Sequence, residues 1–146
     1  MKELKVFLGG TCNGDTWRDE IIPVLDAANI KYFNPVYPPG VDWDDAWRAH
    51  EEVEKKSCNT ELYVITSKMK GIFAVVEAVF SATTKINTNV ILIVIKDGFD
   101  EAQLRSFDAT LNLLEDWALV ADTDRSDLTT IISRVMKVVA EEDDEE

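Results

Sequence analysis

Residues 89–95 read NVILIVI, six consecutive aliphatic side chains after an opening asparagine. Successive side chains of a strand point to opposite faces. An apolar run that does not alternate is therefore a strand buried on both faces. A strand of that kind needs cover on both sides, and crossover helices between parallel strands supply it. This one stretch already argues for a parallel sheet between two helical layers.

The rest of the chain supplies the alternation such a sheet requires. Residues 4–8 form a first strand that ends at Gly9-Gly10. A helix follows over 16–28, with Asp15 or Thr16 as its N-cap. Pro23 lies inside it, so the helix is expected to kink or to start later. A short strand at 31–34 leads to a loop marked by Pro35, Pro38, Pro39 and Gly40. A polar helix spans 43–57, and ELYVIT at 61–66 is the third strand. A helix at 71–83 precedes the NVILIVI strand. Another at 100–117 carries Leu104, Phe107, Leu111 and Leu114 on one stripe. Residues 119–121 read as a short edge strand. Ser126 opens a last helix with Leu128, Ile131, Ile132, Val135 and Val138 apolar. The expectation is a single α/β domain, a flavodoxin/Rossmann-like three-layer sandwich with a parallel sheet of four to five strands.

At 146 residues, 46% of them apolar, the chain is long enough for one full core. The domain is expected over 1–140, with 141–146 (EEDDEE) a disordered acidic tail. The net charge is −13, and the tail supplies −6 of it, leaving −7 on the body. That balance excludes a nucleic-acid polymer as partner. No apolar stretch reaches the ~20 residues of a bilayer span, and MKELKVFLGGT lacks a cleavage site, so neither membrane nor signal peptide is expected. Cys12 and Cys58 make no disulfide framework, which points to the reducing cytoplasm.

Ligands of such sheets bind beyond the carboxyl ends of the strands, near the point where strand order reverses. Three segments end there. The first, GGTCNGDTWR (9–18), offers Gly9, Gly10, Thr11, Thr16, Trp17 and Arg18. Its backbone amides could hold an anion, or it could be an ordinary strand-to-helix turn. It is neither a Walker A nor a GxGxxG element. The second, NPVYPPGVDW (34–43), carries Asn34, Tyr37, Asp42 and Trp43, which suit a flat heterocycle. A proline-stiffened loop packed on the core explains the same residues. The third ends the ELYVIT strand with Thr66 and Ser67 and reaches Gly71. Its hydroxyls would face a pocket, while Lys68 and Lys70 would be exposed.

Beyond Gly71 stands the oddest residue of the chain. Glu77 is the one charge in GIFAVVEAVFSATT (71–84). On a helix it shares a face with Phe73, Val76 and Phe80. An anion buried there is costly, so it has either a partner or a task. His50 is the only histidine. With no second histidine and no CxxC, no metal site is expected. No spacing supports a dyad of Cys12 or Cys58 with His50, and no GxSxG element is present.

Four ordered blocks carry a resemblance: FLGGTCNGDTWR (7–18), YFNPV (32–36), KKSCNTELYVITSKMKG (55–71) and VVEAVFSA (75–82). Together they resemble the nucleoside 2-deoxyribosyltransferase-like family, in its short branch that opens FLGGT…TWR and continues FNPV, LYVIT and an AE-type motif. The likeness covers about 4–95, with a weaker echo in QLRSFDA. It implies that Glu77 is a nucleophile that attacks C1′ of a deoxyribonucleoside, releases the base, and passes the sugar to a second base or to water. Two inversions give net retention. No cofactor is expected, and the apolarity of the Glu77 helix suggests a homo-oligomer, although a fully buried monomer core explains the same pattern.

The chain departs from the family where a D-x-GT-x-x-E pattern would stand. It has SKMKGIFAVVE, with no Asp and no Thr between Ser67 and Glu77. The acid that protonates the leaving base therefore has no assignment, and Asp42 and Asp44 are candidates by loop position only. The expected activity is transfer of 2-deoxyribosyl between bases, on 2′-deoxynucleosides or their monophosphates. The alternatives are a nucleoside 5′-monophosphate N-glycosidase and a non-catalytic nucleotide-binding module.

Overall fold

The computed structural model describes residues 3–12, 14–36 and 45–142. The elements run β1 (Lys5–Gly10), α1 (Trp17–Ala27), β2 (Lys31–Phe33), α2 (Asp45–Ser57), β3 (Thr60–Ile65), α3 (Phe73–Thr84), β4 (Asn89–Ile95), α4 (Glu101–Leu114), β5 (Leu119–Thr123) and α5 (Leu128–Glu142). One turn of 3-10 helix, Arg125–Asp127, leads into α5. All strand pairs are parallel, in the order β2-β1-β3-β4-β5. This is the flavodoxin-like order, whose switch point lies between β1 and β3.

The two faces of the sheet explain the sequence pattern. On one, Val6, Leu8, Leu62, Val64, Ile91, Ile93 and Ile95 pack against Trp17, Ile21 and Leu25 of α1 and Leu128, Ile132 and Met136 of α5. On the other, Phe7, Tyr63, Ile65, Leu92 and Val94 meet Ala78 of α3 and Leu111 and Leu114 of α4. β4 supplies both, and so its run does not alternate. No helix of the described residues is long and apolar enough to cross a membrane.

Several boundaries differ from the sequence expectation. α1 begins at Trp17 and runs through Pro23 to Ala27, so Pro23 does not delay its start. The proline removes only one amide donor, and the buried Trp17, Ile21 and Leu25 hold the helix on the sheet. α4 is shorter than read at both ends: Asp100 caps it in a capping box with Gln103, and the Trp117 and Ala118 amides turn back to the Leu114 carbonyl. β5 extends to Thr123, and its Ile95–Thr123 pairing with β4 accounts for the added length. α5 includes Glu141 and Glu142, so the expected tail loses its first two residues to a helix. Residues 143–146, Trp43 and Asp44 lie outside the described residues.

β1 ends where side chains have no room. A Cβ on Gly9 would lie 2.5 Å from the Tyr63 ring. Gly10 has φ +111°, and a Cβ there would lie 2.3 Å from the Val64 carbonyl oxygen. Backbone strain and a main-chain clash add, so Gly10→Ala is expected to cost about 2–5 kcal/mol of stability, measured by urea unfolding. An unchanged midpoint would contradict this packing.

Candidate active site

A cavity of ≈ 490 Å³ opens at the carboxyl end of β1, beside the switch point. Phe7, Gly9 and Gly10 of β1 form its floor. The β1–α1 loop gives Cys12, Gly14 and Asp15, and α1 gives Arg18 and Asp19. Asn34, Pro35 and Val36 follow β2, Glu51 comes from α2, and Glu77 from α3. A smaller cleft of ≈ 220 Å³ lies on the other side of Glu77, lined by Thr11, Ile65, Met69, Lys70, Gly71 and Phe73 among others.

Glu77 is half-buried and has a partner. Lys55 Nζ donates to Glu77 Oε2 at 2.9 Å. The same ammonium sits 4.9 Å above the Phe7 ring, so one of its faces is shielded from water. The orientation of α3, however, is not the one the pattern suggested. Phe73, Val76 and Phe80 are exposed, Phe73 by 72% and Phe80 by 63%. Ala78 and Ser81 are buried against the sheet, with Ala74, Val75, Val79 and Ala82 packed around them. Small side chains let the helix sit close to β3 and β4, and the phenylalanines are turned outward. Glu77 stands at the boundary between these two faces.

Tyr63, on the neighbouring strand β3, serves a carboxylate other than Glu77. Its hydroxyl donates to Glu61 Oε1 at 2.6 Å. Glu61 is a buried carboxylate that also accepts from Lys85 Nζ at 2.6 Å. Burial alone would push Glu61 up, but the bonds from Lys85 and Tyr63 outweigh it and hold its carboxyl below the ordinary range. Burial and the Glu61 carboxylate in turn push the Tyr63 hydroxyl well up.

Glu51 was not singled out from the sequence. It lies one turn before Lys55 on α2 and lines the same cavity as Glu77. Its carboxyl is pushed up, first by burial and then by the negative charge of Glu77, with Lys55 pulling the other way. Two carboxyl groups on one cavity thus sit in different environments. One is paired with an ammonium, and the other is biased toward its protonated form. The only hint in the sequence was the spacing of Glu51 and Lys55, which on a polar helix looks like a solvated i,i+4 pair.

The first loop is braced from within. Arg18 is buried, and its guanidinium donates to the main-chain carbonyls of Leu8 at 3.0 Å, Thr11 at 2.8 Å and Gly10 at 3.4 Å. It also donates to the Cys12 sulfur and lies over the Trp17 ring. The expected anion-binding arginine is spent on holding the loop. Trp17 is wholly buried and donates from Nε1 to the Thr11 carbonyl at 2.7 Å. The Thr66 amide donates to Thr11 Oγ1, and Thr66 Oγ1 donates to Asp15 Oδ2. Thr16 is exposed and meets Arg125 and Glu20. Trp17, Thr16 and Thr66 therefore support the cavity without lining it, and Thr11 borders only the smaller cleft.

Arg125, also absent from the sequence reading, closes this brace. It donates to both Asp15 oxygens, at 2.8 and 3.2 Å, and to the Glu20 carboxylate. Burial raises Asp15, and the bonds from Arg125, Thr66 and the Trp17 amide more than reverse this, so the carboxyl lies below its ordinary range.

The other expected site residues divide. Gly9, Gly10 and Asn34 line the main cavity, and Asn34 Oδ1 accepts the Val36 amide at 3.1 Å. Gly71 borders the smaller cleft. Ser67 is exposed and lies against Gly98, away from both. Asp42 and Trp43 lie outside the described residues. His50 packs edge-on to Phe33 and beside Trp47. The Cys58 thiol donates to the Glu54 carbonyl and the Cys12 thiol to the Gly10 carbonyl.

Comparison with known families adds one result. A family model described as "Nucleoside 2-deoxyribosyltransferase like" matches residues 3–99, which include Glu51, Lys55, Glu61 and Glu77. No curated protein matches the chain.

Proposed function

Because the chain belongs to the nucleoside 2-deoxyribosyltransferase-like family, we propose that it transfers a 2-deoxyribosyl group between nucleobases through a covalent ester on Glu77. The observation that carries this reading is the unlike pair of carboxyl groups on one cavity, Glu77 beside Lys55 and Glu51 pushed toward its acid form. Pairs separated in this way divide into nucleophile and general acid. In the first step a Glu77 oxygen bonds to C1′ as the glycosidic C–N bond breaks. The C–N electron pair goes to the base nitrogen, and Glu51 protonates the base. In the second step an incoming base attacks C1′, Glu51 takes up its proton, and Glu77 leaves as a carboxylate. Each step inverts C1′, so the product keeps the starting configuration.

The cavity supports a nucleoside over a 5′-monophosphate. Among the described residues its lining holds Asp15, Asp19, Glu51 and Glu77, and the one cation, Arg18, is spent on carbonyls. A phosphate dianion among these groups would meet carboxylates. Incubation with 2′-deoxynucleosides and their monophosphates, with and without a second base, tests the proposal. Exchanged nucleoside from the uncharged substrate is expected. Free base and sugar alone, preference for the monophosphate, or binding without turnover would each overturn it.

The outward face of α3 supports the expected second copy. Ile72, Phe73, Val76 and Phe80 form an exposed apolar strip that continues to the smaller cleft at Phe73. Phe80→Glu is expected to shift the sedimentation of the protein from dimer to monomer, and a wild-type monomer at micromolar concentration would refute the contact. The unpaired thiols of Cys12 and Cys58 fit the expected cytoplasmic location.

A further inference from the structure

The charge on Lys55 poses a problem once Glu77 reacts. Lys55 is 22% exposed at its side chain, lies over the Phe7 ring, and has Glu77 as its close carboxylate at 2.9 Å. An ester at position 77 is neutral, so the ammonium would lose its hydrogen-bonded carboxylate in a half-buried place, keeping the Glu51 charge one turn away on α2. A second carboxylate is waiting. Glu61 Oε1 lies 4.0 Å from the same Nζ, on the adjoining strand β3. Glu61 already has Lys85 on Oε2 and the Tyr63 hydroxyl on Oε1. A carboxylate oxygen has two lone pairs, so Oε1 can accept a second donor.

Resting on the glycosyl-transfer reading above, we propose that Lys55 is a two-position counter-ion, holding Glu77 in the free protein and passing to Glu61 while the sugar is attached. The charges balance through the first step. Before it, Glu77 and Glu61 are anions, Lys55 and Lys85 are cations, and Glu51 carries its proton. After it, Glu77 is a neutral ester and Glu51 is an anion, its proton gone to the base. The sum over the five groups is unchanged. The shift of ~1 Å that brings a 4.0 Å pair to hydrogen-bond length is within reach of a lysine side chain. When Glu77 leaves in the second step, the ammonium returns and favours its departure as an anion. Lys55 thus acts through Glu77, as a positioning residue.

The groups facing Glu77 define what an experiment must separate. Glu51 and Lys55 come from α2, Glu61 and Tyr63 from β3, and Lys85 reaches Glu61 from beyond α3. Lys70 lies across the smaller cleft and Arg18 across the larger one. Two arms suffice. Glu77→Gln reproduces the neutrality of the ester at position 77, and its crystal structure reads the position of Lys55 whether or not the protein turns over. Lys55 Nζ within hydrogen-bond distance of Glu61 is expected. Nζ still on the side chain at position 77, moved to Glu51, or turned out to solvent, overturns the proposal.

The second arm is the pH dependence of base release. Lys55→Met is expected to move the acid limb of the profile, because the ammonium beside Glu77 is gone, and Lys55→Arg is expected to restore it. An unmoved limb in Lys55→Met overturns the proposal, since a merely structural lysine would change the rate without the profile. Absence of base release by the wild-type protein would instead refute the glycosyl-transfer reading, and the crystallographic arm would still decide where the ammonium goes.

Discussion

Glu77→Gln is expected to lower base release from a 2′-deoxynucleoside on the order of 10³-fold or more, as loss of a nucleophile does elsewhere. The amide has the shape of the carboxylate but is far too weak a nucleophile to form the ester. The fold should tolerate the change. The lost ion pair with Lys55 is partly exposed on both sides, and pairs of that kind are worth about 0–1 kcal/mol. A variant with normal thermal unfolding and no turnover would separate a chemical role from a structural one. Retained turnover would remove Glu77 from the mechanism altogether.

The second large effect is expected at Glu51. As general acid it contributes about 10²–10⁴-fold, so Glu51→Gln should lose that much on bases that leave poorly. Bases that leave well need less protonation and should lose less. The pH profile carries the sign. Burial and the Glu77 charge raise the Glu51 pKa, so the acid form persists to higher pH than for an ordinary glutamate. Base release should fall as pH rises through that pKa, and Glu51→Gln should remove this alkaline limb. The stability effect runs the other way. A carboxyl raised on folding contributes stability that is present below its unfolded pKa and lost as pH rises through the folded one. Glu51→Gln should therefore remove this fall in stability as pH rises through the folded pKa of Glu51. A rate unchanged across leaving groups would exclude Glu51 as the acid.

The sheet was legible because its strands are short, β-branched and bounded by turn residues. Asn89–Ile95 was legible to the residue, since burial on both faces leaves no alternation to misread. The direction of α3 was not. Periodicity correctly groups Phe73, Val76, Glu77 and Phe80, yet the opposite side of the same helix is apolar too. Which side meets the sheet depends on how closely the backbones approach, and Ala74, Ala78 and Ser81 win because they are small.

The site was legible in its nucleophile candidate and obscure in its supports. Arg18 in the TWR block looks like an anion ligand, and only the path of the loop shows its donors turned to Leu8, Gly10 and Thr11. Arg125 acts on Asp15 across 110 positions of sequence, a contact that no local pattern encodes. Glu51 was hidden by its company. On a helix with Glu52, Glu54, Lys55 and Lys56, one more acid reads as solvated surface. Its distinction comes from the cavity that α2 closes, and that depends on where Glu77 lies across it.

The central claim is a covalent bond between Glu77 and the sugar. Acid quenching of the wild-type protein during turnover of a 2′-deoxynucleoside, without acceptor base, followed by peptide mass spectrometry, tests it directly. A deoxyribosyl adduct on the peptide containing Glu77, absent from Glu77→Gln, is the predicted result. Base release that proceeds with no adduct and gives an inverted sugar would contradict it.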